Sequence, residues 1–421
     1  MARFQSLDGW LNWQEQSHPR AIDLGLERVA SVYARLDSKP KKPPTITVAG
    51  TNGKGSCVAF LEAIYRAQGY RVGAYTSPHI LKYNERIRID GAPVSDEAIC
   101  VAFERIDAVR SDTSLSYFEF GTLAALDIFN RSDVDVRILE VGLGGRLDAV
   151  NIVDPDVAIV TTIAIDHVDW LGHTEEAIGR EKAGIFRGAT PAIIGDPKAP
   201  DSLRQAALEK QADVLQIGQA FDYRKQGDGW DWLADELKLS GLPEPVLKGE
   251  HQFRNASAVI MAVMCLQKRL PVAEGAIRQG LKTAQLKGRF QLIAGKTPIL
   301  LDVGHNPQAV QTLLDYLRDY FPAVGIHAVF AMMKDKDIAG VLAMMQGRVA
   351  QWYLAPLKNP RAASPELLNS YFQQQDMHNV NHGYVDFSEA FEDARHNALP
   401  GDLILIFGSF FLVSEYLSQF S

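Results

Sequence analysis

The chain has 421 residues, of which 47% are hydrophobic and 22% charged, and its formal net charge at pH 7 is −8. This length exceeds what one hydrophobic core usually serves, so we expect two domains, and the composition is that of a soluble globular protein. The negative charge excludes a dedicated nucleic-acid-binding protein, which carries a basic surface. A local cluster of Lys and Arg can still bind an anionic substrate.

The cysteines and the apolar segments predict a cytoplasmic protein. Cys57, Cys100 and Cys265 are too few for a disulfide framework and too far apart for a CxxC motif, which favours a reducing compartment. The N-terminal stretch MARFQSLDGW lacks the apolar centre of a signal peptide. The most apolar stretch, LILIFGSFFLV, is too short to span a bilayer.

In chain order, the first two-thirds of the sequence alternates short apolar strands with helical stretches. TITVAG is followed by SCVAFLEAIYRAQGY, whose apolar residues recur at helical spacing, and RVGAYTS, VRILEVG, VAIVTTI and TPAIIG are further strand-like runs. Near-continuous apolar runs are typical of a parallel sheet covered on both faces. Over residues 221–247, GDG and two prolines predict a small antiparallel excursion.

A second alternation begins after RFQLIAGKTP, with ILLDVG, HAVFAMM, QWYLAP and LILIFG as strands. Residues 286–298 are rich in Gly, Lys and Pro, and we place the domain boundary there. The predicted fold class is α/β with two domains. An N-terminal P-loop ATPase-like parallel-sheet domain covers residues 1–287, and a smaller C-terminal Rossmann-like domain covers residues 296–421. Ligands in such folds bind at the carboxyl ends of the strands.

The segment VAGTNGKGS, residues 48–56, has the character of a phosphate-binding loop between a strand and a helix. It departs from the pattern G-x-x-x-x-G-K-[ST], which requires a glycine at Val48 and a hydroxyl residue at Gly55. Backbone N–H groups and the helix N-terminus attract an anion there, and Lys54 neutralises the β and γ oxygens of ATP. The plainer interpretation is a Gly-rich turn with a solvated lysine. Alone, the loop predicts only nucleotide binding.

Companion motifs follow the loop in a fixed order over most of the chain. They are YTSPHI, NERI, YFEFGTLAAL, LEVGLGGRLDAVN, TTIAIDHVDWLG, EKAGIF, DVGHNP and FGSFFLVSE. With TITVAGTNGKGS, this set resembles the folylpolyglutamate synthase and dihydrofolate synthase family, relatives of the Mur ligases that use GTNGKG[ST] as their phosphate loop. The resemblance implies an ATP-dependent carboxylate-amine ligase. Such an enzyme forms an acyl phosphate, and the amine of L-glutamate then displaces the phosphate.

The resemblance also implies how ATP is held. Asn255 matches the family's asparagine near adenine, Arg289 and Asp302 match residues that reach the nucleotide from the C-terminal domain, and His305 is expected close by. For Arg289 the plainer interpretation is a solvated linker arginine. The phosphate loop contributes Thr51, Asn52, Gly53, Lys54, Gly55 and Ser56, and the implied catalytic residues are Lys54, Lys182, His167 and His305.

A magnesium site is implied at the strand ends by Ser77, Glu140 and His167. Oxygen ligands suit Mg²⁺, whereas His is a less usual ligand for so hard an ion. In isolation, Glu140 would be a strand-end carboxylate and His167 a satisfied loop histidine. Two Mg²⁺ ions are implied, and a monovalent cation is a further candidate.

Lys182, in TEEAIGREKAGIF, has two interpretations. By pattern it is a solvated helix-face lysine paired with a glutamate one turn away. Its position also matches a lysine that the family carries as a carbamate formed with CO₂, which would give oxygen ligands to a second Mg²⁺ beside His167. A carbamate forms only on the neutral amine, which desolvation favours, and the apolar residues that follow Lys182 favour burial.

The folate side is implied by three segments, AIDLGLERV (21–29), YFEFGTL (117–123) and RLDAV (146–150). Phe118 could stack on a flat pterin, although Phe118 and Phe120 could equally be ordinary core. The implied substrate contacts are Asp23, Leu24, Gly25, Phe118, Glu119, Leu147, Asp148 and Ala149.

The segment IDLGLERV is similar to that of bacterial enzymes with dihydrofolate synthase activity. We therefore expect a bifunctional enzyme that adds glutamate to dihydropteroate and to the γ-carboxylate of folates. The alternative is a monofunctional folylpolyglutamate synthase. A Mur-type ligase ranks lower, because the phosphate loop begins near residue 50 and leaves no room for a UDP-sugar domain. A nucleotide-dependent switch would lack the metal carboxylate.

The expected partners are small molecules: dihydropteroate, reduced folates, L-glutamate and ATP. Neither nucleic acid nor a membrane is expected as a partner, and we expect a monomer.

Overall fold

The computed structural model describes residues 3–20, 22–36, 42–227, 229–235 and 237–420. Ala21, the first residue of the implied folate segment, and Asp228, in the predicted GDG turn, lie outside the described residues. The chain divides into two compact units. The N-terminal unit comprises residues 1–164, 169–246 and 252–285, and the C-terminal unit comprises 165–168, 247–251 and 286–421.

The N-terminal unit is built on an eight-stranded sheet in the order β4-β3-β2-β5-β1-β6-β7-β8. From β2 to β8 neighbouring strands are parallel, which confirms the predicted parallel sheet, and β3 and β4 extend it as an antiparallel pair that was not predicted. The strands are β1 (Thr45–Ala49), β2 (Val72–Tyr75), β3 (Ile87–Ile89), β4 (Ala92–Pro93), β5 (Val136–Glu140), β6 (Val157–Val160), β7 (Pro191–Ile194) and β8 (Asp213–Gln216).

Helices of this unit start at side chains that cap their first N–H groups. Ser95, Ser116 and Thr174 each accept such a bond. The helices are α1 (Leu7–Ser17), α2 (Glu27–Leu36), α3 (Lys54–Gln68), α4 (Asp96–Arg110), α5 (Tyr117–Arg131), α6 (Val168–Leu171), α7 (Glu175–Lys182), α8 (Asp201–Glu209), α9 (His251–Cys265) and α10 (Glu274–Thr283), with 3-10 turns at Tyr83–Arg86, Ala149–Ile152 and Ala183–Ile185.

The predicted antiparallel excursion is confirmed as a three-stranded sheet in the order β11-β10-β9. Its strands are β9 (Asp222–Gln226), β10 (Gly229–Ala234) and β11 (Leu237–Pro243). Trp230 and Trp232 on β10 are fully buried, so this small sheet packs on the unit through its middle strand.

The C-terminal unit has a six-stranded sheet in the order β12-β13-β17-β14-β15-β16, parallel except for β12. The elements are β12 (Gln291–Ile293), β13 (Ile299–Asp302), α11 (Pro307–Tyr320), β14 (Ile326–Phe330), α12 (Ile338–Met345), β15 (Gln351–Leu354), α13 (Pro365–Gln374), β16 (Val380–Asn381), α14 (Phe387–Asn397), β17 (Leu403–Phe407) and α15 (Phe410–Phe420).

The interval 288–295, left outside both predicted domains, contains β12, which pairs with β13. A three-residue strand between Gly- and Lys-rich turns carries too short a pattern to recognise. The domain limits themselves stay a prediction. In the described part of the chain, we find no helix with the length and apolar character needed to cross a membrane.

Candidate active site

The phosphate loop connects β1 to α3, and two glycines shape its backbone. Gly50 (φ +143°) and Gly53 (φ +92°) adopt conformations that other residues rarely reach. A Cβ at Gly50 would lie 1.8 Å from Oγ1 of Thr161, and one at Gly53 would lie 2.7 Å from Oδ1 of Asn255. Both positions therefore require glycine for two reasons: the backbone conformation of the turn, and the neighbouring side chains that leave no room for a Cβ.

The loop is held against the end of β6. The N–H of Thr51 donates to the carbonyl of Thr162 at 2.7 Å, and the hydroxyl of Thr161 donates to the carbonyl of Asn52 at 2.6 Å. Beyond the loop, α3 begins at Lys54. The first N–H groups of a helix have no acceptor within it, and with the helix dipole they attract phosphate oxygens.

Asn255 and Gln252, both on α9, reach the start of α3. Nδ2 of Asn255 donates to Oε1 of Gln252 at 3.0 Å, and Nε2 of Gln252 donates to Oγ of Ser56 at 3.2 Å. All three side chains are buried. Asn255, implied near adenine, thus lies beside the phosphate loop. Gln252 was not predicted, because only the position of α9 in the fold gives it this contact.

Two lysines meet on one carbonyl oxygen of the loop. Nζ of Lys54 donates to the carbonyl oxygen of Gly50 at 3.0 Å, and Nζ of Lys182, at the end of α7, donates to the same oxygen at 3.0 Å. Lys182 is buried, so the solvated helix-face interpretation is wrong. The adjacent Glu181 pairs with Arg146 at 2.9 Å. Two lysine amino groups therefore lie at the beginning of the loop.

The turn after Lys182 is fixed by Lys210, a residue that no motif singled out. Nζ of Lys210 donates to the carbonyls of Ala183 and Gly184 at 3.0 Å and of Phe186 at 3.2 Å. Burial lowers the pKa of Lys210. These three bonds hold the end of α7 that carries Lys182.

Ser77 and Glu140 lie at the ends of neighbouring parallel strands. Glu140 is the last residue of β5, and Ser77 follows β2, which pairs with β5. Oε2 of Glu140 accepts the N–H of Ser77 at 3.3 Å, and Glu140 is buried. A buried carboxylate beside a serine offers the oxygen ligands that Mg²⁺ prefers. The two residues therefore fit a divalent cation.

The three segments implied on the folate side come together in the N-terminal unit. The N–H of Gly25 donates to the carbonyl of Leu147 at 3.1 Å. Arg28, which belongs to the first segment, joins it to the second, with Nη1 2.9 Å from Oδ2 of Asp23 and Nη2 3.1 Å from Oε1 of Glu119. Arg28 was not selected from the sequence, because its partner Glu119 is 91 positions away.

Two of the implied substrate contacts are carboxylates that accept hydrogen bonds from backbone N–H groups. Asp148 is buried and accepts from Leu143 at 2.8 Å and Val150 at 3.0 Å, and burial raises its pKa to about 6. Glu119 accepts the N–H of Ser116 at 2.7 Å in a capping box at the start of α5. Both carboxylates therefore hold local structure around the implied pocket.

The apolar contacts differ in accessibility. Phe118 is half-buried, whereas Phe120 is fully buried. Phe120 is therefore a core residue and not a stacking surface for a ligand. Leu24 and Leu147 are half-buried, and Ala149 is buried. Of the two phenylalanines, Phe118 is the one whose ring keeps surface for a ligand.

In the C-terminal unit, Asp166 accepts hydrogen bonds from Lys336 and Asn306, and His305 lies nearby. Nζ of Lys336 donates to Oδ1 of Asp166 at 2.6 Å, Nδ2 of Asn306 donates to Oδ2 at 3.4 Å, and Nε2 of His305 lies 3.8 Å from Oδ2. Burial alone would raise the pKa of Asp166, but Lys336 and the neighbouring histidines hold it well below its usual range. Lys336 was missed in the sequence, since it is 170 positions from Asp166.

His305 is neutral near pH 7. Burial and the charge of Lys336 lower its pKa to about 4. Nδ1 lies 2.8 Å from the carbonyl of Val303, which places the imidazole proton on Nδ1 and leaves Nε2 as an acceptor.

His167 adopts a left-handed backbone conformation, with φ +52°. Its Nε2 lies 3.4 Å from Nζ of Lys336, and an ammonium group there competes with a metal ion for that nitrogen. Among the residues that the structure describes, no three or more His, Cys, Asp or Glu side chains are grouped so that they could hold a metal ion. The role of His167 as a metal ligand stays a prediction.

Arg289 and Asp302 also lie in the C-terminal unit. Asp302, the last residue of β13, is buried and accepts the N–H of Gly304 at 2.7 Å. Burial raises its pKa, while the charge of Arg289 opposes that shift. The guanidinium of Arg289 lies 4.8 Å from the ring centre of Phe410, a cation–π contact. This ring contact and the charge of Asp302 distinguish Arg289 from a solvated linker arginine.

Known protein families match both units of the chain. Residues 48–263 match the Mur ligase middle domain, and residues 288–410 match the Mur ligase, glutamate ligase domain. The chain is 42% identical to the dihydrofolate synthase/folylpolyglutamate synthase of Escherichia coli K12 over 411 residues, covering 98% of this chain and 94% of that protein.

Solved structures are similar over nearly the whole chain. E. coli FolC in complex with DHPP and ADP superposes with a TM-score of 0.93 at 42% identity, covering 99% of this chain and 97% of that one. A bifunctional folylpolyglutamate synthase/dihydrofolate synthase with Mn, AMPPNP and L-glutamate bound superposes with a TM-score of 0.91 at 43% identity, covering 99% and 98%. The α/β fold class predicted from the sequence is confirmed.

Proposed function

Because this chain belongs to the Mur ligase family, among its dihydrofolate synthases/folylpolyglutamate synthases, we propose that it joins L-glutamate to dihydropteroate and to reduced folates. The enzyme is an ATP-dependent carboxylate-amine ligase. The observation that carries this conclusion is similarity along the full chain, which includes the phosphate loop and both units.

The reaction proceeds in two steps. An oxygen of the substrate carboxylate attacks the γ-phosphorus of ATP, ADP leaves, and an acyl phosphate forms. The neutral amine of glutamate then attacks the acyl carbon, inorganic phosphate leaves with the carboxylate oxygen that had attacked the γ-phosphorus, and the amine loses a proton. Such chemistry depends on positioning and on stabilisation of charge at the phosphoryl group.

The residues of the phosphate loop supply that stabilisation. Lys54 donates to the β and γ oxygens of ATP once it leaves the Gly50 carbonyl, and the N-terminus of α3 holds the same phosphates. Asn255 borders the loop at Gly53. We propose that its side chain lies near the adenine of ATP. Arg289, Asp302 and His305 are the further residues that we propose for nucleotide contacts.

Ser77 and Glu140 hold the divalent cation, with their oxygen atoms as ligands. When bound, such an ion neutralises phosphate charge and polarises the γ-phosphoryl group. The relative solved with Mn and AMPPNP supports a nucleotide with a divalent cation. We propose two Mg²⁺ ions, with Lys182, as a carbamate, and His167 as ligands of the second, and a monovalent cation as a further candidate.

On the folate side, Phe118 stacks on the pterin, since its ring keeps accessible surface in the N-terminal unit. Asp23, Leu24 and Gly25 also contact the folate, together with Leu147, whose carbonyl accepts the N–H of Gly25. Glu119, Asp148 and Ala149 shape the pocket through the caps described above.

The proposed partners are dihydropteroate, reduced folates, L-glutamate and ATP. We propose a monomer in the cytoplasm, without nucleic-acid or membrane partners. The alternative is a monofunctional folylpolyglutamate synthase, which lacks the reaction with dihydropteroate.

A substrate panel tests this function. Purified protein is incubated with ATP, Mg²⁺ and L-glutamate, together with dihydropteroate, tetrahydrofolate or a UDP-muramoyl peptide, and products are identified by mass spectrometry. We expect dihydrofolate from the first and a γ-linked diglutamate from the second. Extension of tetrahydrofolate alone identifies the monofunctional alternative, and extension of the UDP-muramoyl peptide alone overturns the proposal.

A further inference from the structure

Arg86 differs from its neighbouring arginines in its partners. Its Nε donates to Nδ1 of His79 at 2.8 Å, and its guanidinium carbon lies 5.4 Å from the ring centre of Tyr83 and 5.5 Å from that of Tyr117. Within the described part of the chain, no carboxylate forms an ion pair with Arg86. Arg88, two residues later, pairs with Glu62 at 2.8 Å.

His79 does not compensate the positive charge of Arg86. Burial and the charge of Arg86 lower the pKa of His79 to about 4, and the acceptor role of Nδ1 toward Arg86 agrees with a neutral ring. Arg86 is half-buried and carries a full positive charge that no neighbouring anion compensates. A half-buried cation of this kind favours binding of an anionic ligand.

Arg86 lies between the cation ligands and the folate segments of the N-terminal unit. The backbone carbonyl of Arg86 accepts the N–H of Thr76 at 2.9 Å, and Thr76 immediately precedes Ser77 in the sequence. On the other side, Tyr117, which its guanidinium covers, immediately precedes Phe118 at the start of α5. Arg86 therefore contacts the residue before Ser77 through its backbone and the residue before Phe118 through its guanidinium.

The two proposed substrates differ in one anionic group. Dihydropteroate has a single carboxylate, and that group reacts. A reduced folate ends in glutamate, whose γ-carboxylate reacts while its α-carboxylate stays charged two methylene groups away. The second reaction therefore needs a cation near the reacting carboxylate that the first reaction does not need.

We propose that Arg86 binds the α-carboxylate of the terminal glutamate of a folate substrate and is a specificity residue for the γ-linked reaction. This inference rests on the proposed function. The bond to His79 uses Nε, which leaves the two terminal amino groups for a bidentate contact with a carboxylate. The rings of Tyr83 and Tyr117 limit the orientations of the guanidinium plane.

The test compares two reactions in one protein. For Arg86→Gln, the ratio of kcat/KM for tetrahydrofolate to kcat/KM for dihydropteroate falls by at least about tenfold, as loss of a charge-assisted contact predicts. Arg86→Lys restores part of the ratio, because it keeps the charge. The matched control Arg88→Gln, which breaks the pair with Glu62, leaves the ratio unchanged. A parallel change of both reactions in Arg86→Gln, as a purely structural role predicts, overturns the inference.

A substrate analogue tests the contact itself. Tetrahydrofolate with an α-carboxamide in place of the α-carboxylate keeps the reacting γ-carboxylate and loses the charge. Arg86→Gln should reduce turnover of this amide far less than turnover of the acid, and an equal reduction overturns the inference. A wild-type protein that extends no folate contradicts the proposed function together with this assignment, whereas wild-type extension with an unchanged ratio in Arg86→Gln contradicts only the assignment.

Discussion

Nζ of Lys182 donates a hydrogen bond of 3.0 Å to the carbonyl oxygen of Gly50, although 132 positions separate the two residues. The contact joins the end of α7 to the first residue of the phosphate loop. Burial favours the neutral amine, the form that reacts with CO₂. A carbamate nitrogen keeps one N–H, so the bond to Gly50 can persist after modification.

Lys182→Ala should lose at least about a hundredfold in kcat, because the variant lacks a charged group beside the phosphoryl group. Formate or acetate should restore part of the activity by supplying oxygen ligands in place of the carbamate. Steady-state kinetics with and without these anions measures both effects. Lys198→Ala is the control, since Lys198 is exposed, and it should respond to neither change. Undiminished kcat in Lys182→Ala, or no rescue by either anion, contradicts the carbamate.

Lys54→Met should reduce ligation by at least about a hundredfold, because the γ-phosphate loses its main protein cation. The fold should persist, since Met keeps most of the length of the side chain and the bonds that Nζ of Lys54 donates to the carbonyls of Gly50 and Thr51 lie within its own loop. Thermal unfolding checks the fold and an ADP-release assay checks the rate. Normal turnover in a folded variant would remove Lys54 from the phosphate site.

Glu140→Gln should raise the Mg²⁺ concentration needed for half-maximal activity by at least about tenfold, because the amide keeps the size of the side chain but loses its charge. A magnesium titration of initial rates measures the shift. Glu62→Gln is the matched control, since Glu62 is also a buried glutamate but pairs with Arg88. The same titration curve for Glu140→Gln and wild type would exclude Glu140 as a ligand.

Asp148 should give the folded protein a measurable pH dependence. Its pKa is raised from 3.8 to about 6 by burial. Between these two values the folded state binds more protons than the unfolded state, so the contribution of Asp148 to stability is complete below pH 3.8 and is lost as the pH rises to about 6.

Asp148→Asn removes this titration and leaves other groups unchanged. The wild type should be more stable than Asp148→Asn, because the amide cannot accept both the Leu143 and Val150 N–H groups. Thermal unfolding of both proteins should show this difference shrinking from pH 4 to pH 6. A stability difference that grows over that range would mean that folding lowers the pKa of Asp148 instead of raising it.

The strand pattern and the loop were predictable because each depends on neighbours in the sequence. The apolar runs of β1, β5 and β6 and the interruption by Gly50 and Gly53 are all local, so the sequence analysis located the phosphate loop and the strand ends at Glu140. The antiparallel pair β3–β4 was missed, since strands of three and two residues carry almost no periodicity.

Contacts between distant residues could not be read from motifs. Arg28 reaches Glu119, and Lys336 reaches Asp166, only because the fold brings together elements far apart in the chain. Most lysines and arginines are exposed, so nothing in the sequence singles out Arg28 or Lys336. Among the described residues, only the folded chain shows that Arg86 has no carboxylate in an ion pair with it, whereas Arg88 pairs with Glu62.

The central claim is that a substrate carboxylate attacks the γ-phosphate of ATP at this loop, and oxygen transfer tests it most directly. Dihydropteroate with both carboxylate oxygens replaced by ¹⁸O is incubated with the protein, ATP and L-glutamate, and the inorganic phosphate is analysed by mass spectrometry. Ligation through an acyl phosphate predicts one ¹⁸O atom in each phosphate released and one in each molecule of dihydrofolate. Dihydrofolate formed together with unlabelled phosphate, or with AMP and pyrophosphate, would contradict the account.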